Sequence, residues 1–128
     1  MRNDARENAF KLIFESLFHE CDKALSQENL TILKKEDDQK FFDEIISSFE
    51  QNKEILKEKI ETHLKNFDYS RVFKIDLALI YLSLTEILYC GTPSAVSINE
   101  TLNLAKKYST EKSSKFINGI VSEIIKEK

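Results

Sequence analysis

Residues 72–90, "VFKIDLALIYLSLTEILYC", are apolar almost all round. A helix with no polar face belongs at the centre of a bundle, because other helices must cover every side of it. Its charged residues, Lys74, Asp76 and Glu86, must then lie at an end or an edge, or be paired. The stretch stops at Gly91, a natural C′ residue, with Pro93 two positions later. The rest of the chain must supply the covering layer. It holds only two glycines and one proline in 128 residues, too few for the turns of a β-sandwich or the loops of a doubly wound sheet. The expectation is an all-α, single domain over residues 1–128, long enough to bury about two-thirds of its unfolded surface.

The covering helices can be read from their apolar stripes. A first helix is expected from Asn3 or Asp4 to His19, with Ala9, Leu12, Ile13 and Leu17 as its stripe, widened by Phe10 and Phe14; Asp4 can cap it. Residues 20–36 are polar and weakly patterned, a loop with at most a short turn at "NLTIL". Phe41, Phe42, Ile45, Ile46 and Phe49 mark a second helix. Leu56, Ile60, Leu64 and Phe67 mark a third, with a break expected near Gln51-Asn52. After Pro93, Ile98, Leu102 and Ala105 form a buried stripe, with Ser94 or Ser97 as N-cap and Ser97 and Glu100 fitting a capping box. Ser113 or Ser114 is expected to cap the last helix.

Several function classes lack support. No Gly-rich phosphate loop, nucleophile elbow or HExxH occurs, and an enzyme is not expected. Cys21 and Cys90 match no metal-ligand spacing, and His19 and His63 have no His or Cys at i+3 or i+4. No metal or cofactor is expected. No apolar run approaches the roughly 20 residues that cross a bilayer, and "MRNDARENAF" lacks the core of a signal peptide. A cytoplasmic protein is expected. The net charge of −3 hides an asymmetry: residues 20–62 hold seven Lys and twelve Asp/Glu, whereas 106–115, "KKYSTEKSSK", hold four Lys and one Glu. A local basic patch of this kind is what nucleic-acid binding needs, and it is also what a solvated helix face looks like.

"KFINGIVSEI", residues 115–124, contains the hairpin-like pair Asn118-Gly119. Its apolar residues, Phe116, Ile117, Ile120, Val121, Ile124 and Ile125, nevertheless follow a helical period. Asn118 and Gly119 fall on the opposite face, in mid-helix, where glycine costs roughly 1 kcal/mol relative to alanine. Two readings of Gly119 stand side by side. It admits a partner or a nucleotide close to the backbone, or it packs against a neighbouring helix of the same chain.

The ordered set "IDLALIYLSLTEI", a single proline, "SINETLNLAKKYS" and "SSKFINGIVSEI", with "ARENAFKLIF" before them, resembles the NusB family of bacterial transcription antitermination factors. The resemblance covers nearly the whole chain and is strongest over residues 72–125. It implies about six to seven helices in two packed helical subdomains. It further implies binding of boxA-type single-stranded RNA of ribosomal-RNA transcripts, together with the small-subunit ribosomal protein NusE, in the antitermination complex on RNA polymerase. By resemblance, the RNA surface falls on Arg2, Arg6, Lys106, Lys107, Lys115, Phe116, Asn118 and Gly119, and Asp76 falls where the family contacts the ribosomal protein. Phe116 also begins the core stripe. The local alternative for Asp76 is pairing with Arg71 or Lys74, or capping the helix start. The sequence departs from the family pattern in alternating Arg2 and Arg6 with Asp4 and Glu7, in Tyr81 where arginine is common, and in Lys112 where an acid is common. The other reading of the chain is a helical protein-interaction module of NusB-like fold with weak or lost RNA binding.

Overall fold

The computed structural model describes residues 2–17, 36–64 and 68–126. Among them are five α-helices and one 3-10 turn: α1 (Arg2–Ser16), α2 (Glu36–His63), the turn Tyr69–Arg71, α3 (Lys74–Tyr89), α4 (Ser94–Tyr108) and α5 (Glu111–Lys126). The described residues contain no strand, and none of the helices is long and apolar enough to cross a membrane. The expected end of the first helix at His19, the polar segment with Cys21, and Phe67 lie outside the described residues.

The all-round apolar segment is central, as its composition demands. Every residue from Asp76 to Ile87 is buried, and α3 packs against α1, α2, α4 and α5. Its C-terminus follows the expected design. Gly91 has φ +73°, the left-handed conformation glycine adopts without steric cost, and the Cys90 and Thr92 amides both donate to the Glu86 carbonyl.

The described residues hold five helices, not the six to seven the resemblance implies, and four local expectations are corrected. The break near Gln51-Asn52 does not occur: α2 runs unbroken for 28 residues. Phe41, Ile45, Phe49, Leu56 and Ile60 are all buried and stand four or seven residues apart, so they form one stripe. Asn52 bonds its amide to the Ser48 carbonyl at 2.8 Å, within the same helix, instead of ending it.

The buried face of α4 is Ser97, Thr101 and Ala105, not Ile98 and Leu102, which are only half-buried. Small residues let α4 approach α3 closely enough for the Ser97 and Ser83 hydroxyls to meet at 3.1 Å. Ser97 is therefore engaged inside the bundle, and α4 begins after Pro93 with no side-chain cap. The last helix starts earlier than expected. Thr110 Oγ1 accepts the Ser113 amide at 3.3 Å, the N-cap to N3 pattern. Its apolar stripe holds, with Ile117, Ile120, Val121 and Ile124 buried.

Tyr81, at the position where arginine is common in the family, is fully buried. Its hydroxyl lies 2.6 Å from that of Tyr69, and its ring meets Phe49 edge-on at 5.3 Å. An aromatic with one polar tip thus occupies the centre of the bundle with its hydroxyl satisfied.

Candidate nucleic-acid and partner interface

Lys115, Asn118, Gly119 and Ser122 recur at i, i+3, i+4 and i+7, one stripe of α5. Lys115, Asn118 and Gly119 are exposed, opposite the buried isoleucines. Apart from its chain neighbours and the adjoining backbone of its own helix, no described atom lies within 4 Å of the place a Gly119 Cβ would take. Packing of this glycine against its own bundle is thereby excluded for the described residues, and an open helix face remains. Lys106 and Lys107 are exposed in the last turn of α4, where lysines complement the helix dipole. The short α4–α5 corner brings them and Lys115 to the same end of the molecule.

Of the N-terminal basic residues, Arg6 does not join that surface as expected. Arg6 turns inward: its side chain is 5% exposed, and its Nε donates to Glu86 Oε1 at 2.6 Å. Its guanidinium also lies over the Phe41 ring at 5.2 Å and reaches Asn3 Oδ1 at 3.2 Å. The other Glu86 oxygen accepts from Ser97 at 3.4 Å, and Thr92 lies 3.4 Å from Oε1. Burial pushes the Glu86 carboxyl up from the usual range, against the opposing charge and hydrogen bond of Arg6. Leaving either member alone in the interior would be costly, so the arginine expected on RNA phosphates is held in the core. Arg2 begins α1.

Lys107 is also engaged. Its ammonium donates to Glu7 at 2.7 Å, and the Tyr108 hydroxyl donates to the same carboxylate at 2.8 Å. Partial burial alone would raise the Glu7 carboxyl. The hydrogen bonds from Lys107 and Tyr108, with the Lys107 charge, outweigh it and hold the group below its ordinary value.

Asp76 and Phe116 come together. Both line a groove of about 700 Å³ between the start of α3 and the start of α5, with Arg71, Phe73, Lys112 and Ser113. Asp76 lies in the first turn of α3 and is buried, and its Oδ1 accepts from the Ser109 hydroxyl at 2.7 Å. Phe116 is half-buried, at once a wall of the groove and a neighbour of the core. The sequence reading missed Phe73, which is 68% exposed beside this groove. A single apolar helix over residues 72–90 would include it. Asp76 as a first-turn acid was the available signal that the helix begins after Phe73, at Lys74.

Among the described residues no group of three or more His, Cys, Asp or Glu could hold a metal ion. Exposed amides and ammonium groups on helix faces beside an apolar groove are the materials of a binding protein, and the architecture is that of a known family of such helical proteins. The profile of the NusB family matches residues 3–126, and the chain belongs to that family. A transcription antitermination protein NusB of Macrococcus caseolyticus is 40% identical over 99% of this chain and 98% of its own length. The structure of T. maritima NusB superposes with a TM-score of 0.88 at 28% identity, covering 99% of this chain and 92% of that one. NusB crystallised with NusE and double-stranded RNA shares the fold, with a TM-score of 0.85 at 21% identity over 99% of this chain and 97% of that one.

Proposed function

We propose that this protein is a cytoplasmic antitermination factor, a single NusB-like domain of two packed helical subdomains. On this reading it binds boxA-type single-stranded RNA together with the small-subunit ribosomal protein NusE, and with it joins RNA polymerase. It works as a scaffold and makes or breaks no bond. The observation that carries the reading is the open stripe Lys115, Asn118, Gly119 on α5, next to the groove shared by Asp76 and Phe116. Ammonium groups meet phosphates, an amide and an aromatic edge can meet bases, and a bare helix backbone lets a strand come close. Lys106 extends the basic surface. The groove, with exposed Phe73 and the Asp76 carboxylate, suits a protein partner that offers apolar and donor groups.

A second reading, a partner-binding module with weak RNA affinity, draws on one specific observation. Arg6 is internal and Lys107 is paired with Glu7, which thins the basic surface at the α1 end. A titration with boxA-like and scrambled single-stranded RNA, with and without the ribosomal protein, separates the two. Sequence-dependent binding that the ribosomal protein strengthens supports the first. Partner binding with no preference between the two RNAs supports the second.

A further inference from the structure

The seam between the start of α1 and the end of α4 holds a polar concavity of about 230 Å³, lined by Asn3, Asp4, Glu7, Glu100, Asn103 and Lys107 among others. Three of these are carboxylates and one is an ammonium. Arg6 borders the same cavity, but its guanidinium is committed to Glu86. The Lys107 side chain is 61% exposed, whereas that of Glu7 is 15% exposed. The ammonium thus faces solvent, while its counter-charge is fixed from behind by the helix and by the Tyr108 hydroxyl. Both Glu7 oxygens lie within reach of Lys107 Nζ, at 2.7 and 3.2 Å.

We propose that Glu7 is an intramolecular competitor for Lys107 and sets a ceiling on the RNA affinity of this chain. This rests on the RNA-binding reading above. A phosphate that approaches Lys107 meets an ammonium already neutralised and a fixed carboxylate directly behind it. A lysine in that state neutralises a phosphate poorly, displaces few of the counterions condensed on the RNA and contributes little to binding, although it lies inside the basic segment. The exposed lysines Lys106, on the same helix, and Lys115, beyond the corner, carry the backbone contacts instead.

The test is a salt titration of single-stranded boxA-like RNA against wild type, Glu7→Gln, Lys107→Gln, the double variant and Lys115→Gln, with thermal melts as the fold control. The glutamine amide can still accept from Tyr108, so Glu7→Gln keeps the α1–α4 seam. Freeing one ammonium should steepen the log–log salt slope by roughly 0.7, which is about fivefold tighter binding near 0.1 M salt. Lys107→Gln alone should leave the slope in place and weaken wild type by clearly less than it weakens Glu7→Gln, because in wild type it removes no free ammonium and only uncovers the Glu7 carboxylate. The double variant should lose the gain of Glu7→Gln.

Equal or weaker binding by a folded Glu7→Gln overturns the proposal. So does a Lys107→Gln that weakens wild type as much as it weakens Glu7→Gln, and this arm decides alone if Glu7→Gln does not fold. Loss of binding in Lys115→Gln with no gain in Glu7→Gln overturns the competition and leaves the RNA-binding reading standing. No binding of the boxA-like RNA by wild type or any variant overturns both.

Discussion

Gly119 can be judged by a single methyl group. Because nothing described lies near its missing Cβ, Gly119→Ala should raise stability by up to about 1 kcal/mol through helix propensity and the unfolded chain. A melt of the variant checks this, and RNA titration of the same sample separates its two remaining roles. Weakened binding with a stabilised fold means that a strand comes close to this helix; unchanged binding means that the glycine is only a local flaw. Arg6 gives the opposite prediction. Arg6→Met leaves Glu86 buried without its counter-charge and should cost about 3–5 kcal/mol, with much of the loss recovered in Arg6→Met/Glu86→Gln. Denaturant melts of the two variants measure it. The sequence made both residues visible but disclosed the direction of only one. The helical period fixed Gly119 on the outer face. Arg6 and Glu86 are 80 positions apart, and no local pattern joins them. What was legible was the requirement that a charge inside the "LALIYLSLTEI" segment be paired; its partner follows from how α1 crosses α3.

At the scale of elements, α3 is the test of the architecture. Leu79 and Leu82 are fully buried, and truncating either to alanine should cost roughly 2–5 kcal/mol. Values within about half a kcal/mol of wild type in equilibrium unfolding would contradict the central position of the helix. The α1–α4 seam makes a pH prediction. The folded Glu7 carboxyl lies below its ordinary value of 4.5, so the unfolded chain binds its proton more readily. Its contribution is complete above the unfolded pKa and is lost as pH falls through the folded one. The stability gap between wild type and Glu7→Gln should therefore be widest near neutral pH and close in acid, as melts across that range would show. Element type was readable throughout, since apolar periods of 3.6 leave little room for strands. Boundaries and faces were less so. The unbroken α2 and the rotated face of α4 both turn on side chains, Asn52 and Ser97, whose polar atoms bond locally or inside the bundle, and composition does not show that choice.

At the scale of the whole molecule, the question is how the two surfaces proposed above would share one small bundle. Asp76→Ala should weaken the complex with the ribosomal protein and leave the intrinsic RNA titration unchanged. Ser109→Ala, which removes the hydroxyl donating to Asp76, is the control for local structure. If both variants hold the partner as wild type does, Asp76 only organises the α3 start. The groove itself was half legible. Asp76 and Phe116 were each singled out, but 40 positions of chain separate them, and only the packing of α5 on α3 makes them neighbours.

The central helix also has a consequence for how the protein is made. A segment with no polar side is the one a growing polypeptide must hide fastest, since exposed apolar surface draws other chains. α1 and α2 precede α3 in the sequence and can cover part of it as it emerges. The remaining sides stay open until α4 and α5, residues 94–126, have been synthesised. Chains stalled or truncated just after Gly91 should therefore be the aggregation-prone and chaperone-dependent species of this protein.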